Sequence, residues 1–116
     1  MKFVALVVIA STQYEDRLKD VAKEAGAGGG TILQGRGSSL GEKKSFFALT
    51  FEGNQSVIIY VLEEKLSRVV LKSINAEVEK TQAECMAFTM PISHVVGLDR
   101  ELIKKFEDSI KQEDDL

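Results

Sequence analysis

The feature that most restricts the fold of this chain is the apolar run at residues 3–10, which reads FVALVVIA. The run is rich in β-branched residues, which favour strands, and it lacks the polar alternation of a strand with one wet face. It is too short to span a bilayer. We therefore predict a central strand. A short secretory signal with Lys2 as its basic residue is the less favoured alternative.

The next elements follow from local signals. Thr12 and Glu15 have the spacing of a capping box, and the helix they begin is predicted to end at Gly26. After the flexible glycines at 28–30, extended patterns are predicted at 31–34, 46–52 and 56–62. A polar, glycine-rich loop at 35–45 separates the first two, and a turn at 53–55 joins the last two into a hairpin.

The second half of the chain repeats the helix–strand pattern. A helix is predicted to begin at Glu63 and Glu64 and to run to about Asn75, followed by a polar link at 77–84. A strand at 86–90 is interrupted by Pro91 and resumes at 92–96, so we predict that it is an edge strand or is broken at Pro91. A last helix, capped by Asp99, has an apolar face formed by Leu102, Ile103, Phe106 and Ile110.

This order predicts an α+β fold, a ferredoxin-like β-α-β-β-α-β sandwich with an extra β-hairpin and a C-terminal helix. Residues 1–98 form the domain, and residues 99–116 add its last helix and polar tail. Two helices cover one face of the sheet and leave the other face apolar. An uncovered apolar face favours a closed homo-oligomer, and cover by the C-terminal helix is the alternative.

The glycine-rich segment is the most informative candidate site. Gly35, Arg36 and Gly37 would let the backbone approach an anion, and Lys43 and Lys44 would add charge. The spacing is not that of a P-loop. From the residues alone, an ordinary hairpin loop is favoured over an anion site.

Other chemistry has little support in the sequence. The net charge of −3 disfavours a general nucleic-acid binder. His94 and Cys85 are the only residues of their types, so we expect no metal site. They are also too far apart along one extended segment to form a nucleophile–base pair. The carboxylates follow solvated patterns, so we expect no catalytic residues. One cysteine suits a reducing cytoplasm.

Residues 25–37, which read AGAGGGTILQGRG, resemble the PII signalling family, especially its divergent PII-like branch. Residues 57–74 and 87–98 resemble later family segments, so the likeness spans about residues 1–98. The resemblance implies a ferredoxin-like homotrimer that binds adenine nucleotides in clefts between subunits. A long segment after the second strand, called the T-loop in the family, contacts the regulated protein.

The resemblance also assigns roles to residues. Thr31 and Gly37 match nucleotide-contacting positions, and Val61 matches a position that lines the adenine pocket. With these, the candidate ligand-binding residues are Thr31, Gly35, Arg36, Gly37, Lys43, Lys44 and Val61. Residues 38–55 take the place of the T-loop, and its candidate partner-binding residues are Ser38, Ser39, Leu40, Gly41 and Glu42.

The chain departs from the family where phosphates are held. Residues 82–85, reading QAEC, replace a Gly-Asp-Gly-Lys stretch, and Gly97 and Asp99 replace two arginines. Each lost charged hydrogen bond forfeits on the order of 1.5–3 kcal/mol. We therefore expect weak ATP binding or none. The T-loop segment also lacks tyrosine, so uridylylation is not expected there.

Three classes of function remain. The first is a cytoplasmic PII-like regulator that binds a small ligand, with an adenine nucleotide as the candidate, and acts on a partner through residues 38–55. The second is a ligand-free interaction module. The third, an enzyme such as an acylphosphatase-like hydrolase, is disfavoured because residues 1–13 offer Lys2 but no glycine cradle. A metal-binding trimer of the same architecture lacks suitable ligands.

Overall fold

The computed structural model describes residues 1–37, 53–98, 101, 103–104 and 106–108. The sheet has the strand order β2-β3-β1-β4, and all neighbouring strands are antiparallel. The fold is therefore α+β with the predicted β-α-β-β-α-β order. The elements are β1 (Phe3–Ser11), a 3-10 turn (Thr12–Tyr14), α1 (Glu15–Glu24), β2 (Thr31–Gly37), β3 (Gly53–Glu63), α2 (Glu64–Thr81) and β4 (Cys85–Ile92).

One face of the sheet, here called the helix face, carries the hydrophobic core. β1 lies between β3 and β4, as its continuous apolar run predicts. Its residues Leu6 and Val8 pair with Tyr60 and Ile58 of β3, and all four are buried. Both helices pack on this face and contribute the buried side chains Leu18, Val21, Ala22, Val70 and Ile74.

The opposite face, here called the open face, is apolar too. In the centre of this face, Ala5, Val7 and Ile9 of β1 pair with Val61, Ile59 and Val57 of β3, respectively. At its edges Leu33 is 52% exposed and Met90 is 47% exposed. Neither α1 nor α2 covers this face, because both helices pack on the other side of the sheet.

The chain continues beyond β4 into further helical residues. Those described, at 101, 103–104 and 106–108, include Phe106, which is 3% exposed and belongs to the core cluster. Its ring centroid lies 6.0 Å from that of Phe3 at the start of β1. The predicted cap Asp99 and the apolar positions 102 and 110 lie outside the described residues. None of the described helices is long and apolar enough to span a membrane.

The boundaries around the glycine-rich segment differ from the prediction. β2 extends to Gly37 instead of ending at 34, and β3 begins at Gly53. The predicted turn at 53–55 is wrong, because these residues pair with 35–37 of β2. The ladder satisfies backbone donors and acceptors, which outweighs the turn preference of Gly and Asn. The predicted strand at 46–52 lies outside the described residues.

The second helix is longer than predicted. α2 ends at Thr81 instead of Asn75, so most of the predicted polar link is helical. The reason is tertiary: Glu77 is buried, and its Oε1 lies 2.5 Å from the Arg17 Nε of α1. At the other end the Glu63 carboxylate accepts hydrogen bonds from the amides of Lys65 and Leu66, which caps the helix.

β4 also differs from the prediction. It runs from Cys85 to Ile92 without a break at Pro91, and residues 93–98 form no strand. Pro91 lies opposite Val4 of β1. As predicted, β4 is an edge strand, where a residue without an amide hydrogen is tolerated.

Candidate functional site

The sheet brings two of the candidate ligand-binding residues together. Thr31, exposed at the start of β2, pairs with Ile59 of β3. Val61 lies two residues further along β3 and is half-buried, so by register it shares the open face with Thr31. Thr31 lies on the edge strand β2 and Val61 on β3, the strand beside it. We call this pair of positions the Thr31 end of β2.

The glycines at the other end of β2 form a separate group. Gly35 and Gly37 pair with Gln55 and Gly53. At about 3.4 Å per residue they lie roughly 14–20 Å from Thr31. Within one chain, a single small ligand therefore cannot contact both ends of β2. Lys43, Lys44 and the partner-binding candidates at 38–42 lie outside the described residues.

Arg36 lies on the other side of β2 from its two glycine neighbours. Because side chains alternate along a strand, Arg36 shares the helix face with Gln34. It lines a shallow cavity of about 430 Å³ together with Gln34, Gly35 and Asn54. Arg36 is exposed and forms no ion pair with any residue that the structure describes. Its guanidinium can therefore receive an anion at this end of the strand.

A carboxylate network lies on the same face. The Oε1 atom of Glu15 accepts hydrogen bonds from the Ser56 hydroxyl at 2.6 Å and from the Gln34 side-chain amide at 3.0 Å. The Ser56 hydrogen bond, the largest cause, lowers the pKa of Glu15. The predicted capping box is wrong, because no side-chain hydrogen bond caps the N-terminus of the 3-10 turn or of α1. Sequence reasoning missed this network because its partners are 19 and 41 residues away from Glu15.

A second cavity, of about 230 Å³, opens between α1 and the start of β2. Sequence reasoning treated the glycines here as a flexible link. The cavity is lined by Lys19, Lys23, Ala27, Gly28, Gly29, Gly30, Ile32, Ile58 and Tyr60. We call it the lysine–glycine cavity. It lies on the helix face, because Ile32 pairs with Ile58 and Tyr60 is buried there.

A third cavity, of about 350 Å³, lies between α2 and β4 and includes Cys85. Burial raises the pKa of the Cys85 thiol to about 11, which opposes nucleophilic reactivity. His94 is exposed and lies two residues beyond β4, whereas Cys85 begins that strand. The two side chains are therefore far apart, as predicted. Among the described residues, no three His, Cys, Asp or Glu side chains gather as metal ligands.

Residues 82–85, which the resemblance places where the PII family holds phosphates, link α2 to β4. Gln82 adopts the left-handed conformation that ends α2, with φ of 57°. Ala83 is buried and Glu84 is exposed. Residues 82–85 thus offer no cation between α2 and β4. Gly97 also has a positive φ of 87°.

Comparisons with known structures agree on the fold. A putative PII-like signalling protein from Thermus thermophilus is 20% identical, with a TM-score of 0.61 over 79% of this chain and 88% of that one. The protein CPII from Thiomonas intermedia, bound to ADP, AMP and acetate, is 22% identical, with a TM-score of 0.63 over 90% and 94%. A DUF3240 family protein from Shewanella baltica is 16% identical, with a TM-score of 0.63 over 85% and 99%.

The sequence itself identifies the family. No curated protein is significantly similar to this chain. The family described as Nitrogen regulatory protein P-II, however, matches residues 1–101, which is most of the 116-residue chain. The matched range includes all seven elements from β1 to β4. The fold, the strand order and this match lead to one conclusion: the chain belongs to the nitrogen regulatory protein P-II family.

Proposed function

We propose that this protein is a regulator that binds a small ligand, with an adenine nucleotide as the candidate, in clefts between the subunits of a homotrimer. It acts on a partner protein through the segment after β2. Since residues 53–55 belong to β3, that segment is residues 38–52. The protein is a cytoplasmic sensor and not an enzyme.

The observation that carries the proposal is the placement of candidate residues at opposite ends of β2. The Thr31 end offers a hydroxyl beside apolar Val61, which suits a base and its sugar. The other end offers the glycine backbone and the exposed guanidinium of Arg36, which suit phosphate. An edge strand can present each end to a different neighbour. Each cleft would then combine the Thr31 end of one subunit with the Arg36 end of the next.

The open face supports the assembly. An apolar surface formed by three strands and left uncovered by α1 and α2 favours self-association with closed symmetry. CPII, whose structure contains ADP and AMP, supports an adenine nucleotide as the ligand class. The absence of a cation at residues 82–85 favours nucleotides with fewer phosphates over ATP.

Isothermal titration with AMP, ADP and ATP tests the ligand. We expect AMP or ADP to bind more tightly than ATP, and Arg36→Ala to weaken ADP binding by about tenfold, the loss of a charged hydrogen bond. Arg68→Ala is the matched control, because Arg68 is an exposed arginine on α2 that pairs only with Glu64 in the described region. If the two variants weaken ADP binding equally, Arg36 does not belong to the ligand-binding site.

Light scattering tests the assembly separately. Ile59→Asp places a charge at the centre of the open face, so we expect it to convert the oligomer to monomers. Lys72→Asp on exposed α2 should leave the mass unchanged. A wild-type protein that is monomeric at micromolar concentration would contradict the trimer and the shared cleft.

The ligand-free interaction module remains the second candidate, and the missing cations at 82–85 favour it. Failure of all three nucleotides to bind would select it. Replacing residues 38–52 with a short turn then tests the remaining role. Loss of partner capture with the fold retained is expected, and unchanged capture would exclude this segment.

A further inference from the structure

The lysine–glycine cavity has no role in the proposed nucleotide cleft. Thr31 and Val61 lie on the open face, whereas Ile32, Ile58 and Tyr60, which line the cavity, lie on the helix face. The strand side chains of the two sites therefore lie on opposite faces of the sheet, although Gly30 of the cavity directly precedes Thr31 in the chain. A function for this cavity has to be argued from its own residues.

The first observation is a buried hydroxyl without a partner. Tyr60 is 4% exposed and lines the cavity. In the described ranges, its hydroxyl forms no hydrogen bond with any residue. A buried polar group without a partner in the protein is unfavourable, so native structures rarely keep one without a reason. Burial also raises the pKa of Tyr60, so the hydroxyl stays protonated and able to donate.

The second observation is positive charge at the rim. Lys19 and Lys23 are one helical turn apart on α1 and both line the cavity. Lys19 has Asp16 at 3.8 Å, and its charge also lowers the pKa of Glu15. Lys23 is exposed and has no ion-pair partner in the part of the chain that the structure describes. Lys23 is therefore the ammonium group available to a ligand.

The third observation is a glycine backbone that the fold does not explain. Gly29 has a positive φ of 74°, and Gly30 is required because a Cβ there would lie 2.7 Å from Tyr60 Cε1. At Gly28 the φ is not positive, and a Cβ would meet no atom within 4 Å. Neither backbone nor packing demands glycine at 28. A left-handed residue beside residues of ordinary φ is the kind of backbone in which successive amides can face one side, which suits an anion.

We propose that the lysine–glycine cavity binds a small oxyanion, a phosphate or a carboxylate, joined to a short apolar group. The glycine amides and Lys23 hold the oxyanion, and the Tyr60 hydroxyl donates a hydrogen bond to it. Ile32 and Ile58 contact the apolar group. A volume of about 230 Å³ lies below the range of roughly 300–1,000 Å³ that holds drug-sized ligands, so the ligand is small.

NMR titration of the whole ¹⁵N-labelled chain tests the proposal. Phenyl phosphate and benzoate are the probes, and benzyl alcohol is the uncharged control. We expect either anion to shift the amide signals of residues 28–30 saturably, and the tighter probe assigns the oxyanion as phosphate or carboxylate. No shift with either anion, or an equal shift with benzyl alcohol, would overturn the proposal.

Three variants locate the contacts. We expect Lys23→Gln to raise the dissociation constant about fivefold, and Tyr60→Phe, which keeps the ring, to raise it about threefold to tenfold. Lys72→Gln is the matched control on α2, and Arg36→Ala tests whether the cavity is independent of the nucleotide cleft. We expect neither variant to change the dissociation constant. The amide spectrum of each variant reports whether the fold is kept. Unchanged affinity in both folded cavity variants would contradict the proposal.

Discussion

The two faces of the sheet have nearly the same chemistry but different surroundings. Ile58 and Ile59 are neighbours in β3, yet Ile58 is buried under the helices and Ile59 is half-buried on the open face. The helix face is completed within one chain by α1 and α2. The open face has apolar side chains and no cover from these helices. Burial in this fold therefore depends on the cover that the helices provide, and not only on the apolar character of a side chain.

The largest expected effect separates these two isoleucines. Ile58→Ala should lower the free energy of unfolding by about 2–5 kcal/mol, because it leaves a cavity in a closed core. Ile59→Ala should lower it by less in dilute protein, because its surroundings are less completely packed. Urea unfolding at several protein concentrations measures both. If only Ile59→Ala loses stability in a way that depends on protein concentration, the open face is an interface. If both variants lose the same free energy of unfolding at all concentrations, the two faces do not differ in this way.

The next effect contrasts two glycines beside the helix face. Gly30→Ala should lower the free energy of unfolding by about 1–3 kcal/mol, because its Cβ would lie 2.7 Å from the ring of Tyr60. Gly28→Ala, where no atom lies within 4 Å, should change it by less than about 0.5 kcal/mol. Thermal unfolding at one protein concentration compares the two. A larger loss in Gly28→Ala would show that residues 28–30 pack differently.

The smallest effect is the pH dependence of the Glu15 network on the helix face. Because the folded pKa of Glu15 is lowered from its ordinary value of 4.5, the stabilisation is complete above about pH 4.5. It is lost as the pH falls through the folded pKa. We therefore expect the stability difference between the wild type and Glu15→Gln to be constant near neutral pH and to shrink in acid.

Ser56→Ala removes the hydrogen bond that lowers the pKa most. The carboxyl pKa of Glu15, followed by NMR, should then rise toward its ordinary value. Asp16 is the control, because it is exposed on the same helix and lies near only Lys19 at 3.8 Å in the described part of the chain. A stability difference that stays constant down to the lowest pH would show that the network does not depend on the charge of Glu15.

The two ends of β2 show how far the sequence could predict the candidate site. The resemblance to the PII family pointed to Thr31 and Val61, and the register places both on one face. The resemblance also pointed to Gly37, and the glycine-rich, basic pattern pointed to Gly35 and Arg36, but local signals assigned all three to a loop. Their strand conformation depends on pairing with residues 53–55. These partners are too distant in the sequence for local preferences to predict the pairing.

Patterns along the sequence were sufficient to predict the central strand, the α+β order, the apolar open face and the family. These follow from apolar periodicity and from a motif at residues 25–37, which are local properties. The length of α2 follows only from the tertiary structure, since the helix extends through Glu77, which is buried and pairs with Arg17 of α1. Only the tertiary structure assembles Lys23, Gly28 and Tyr60 around one cavity. Such contacts join residues that are distant in the sequence, so patterns among neighbouring residues cannot predict them.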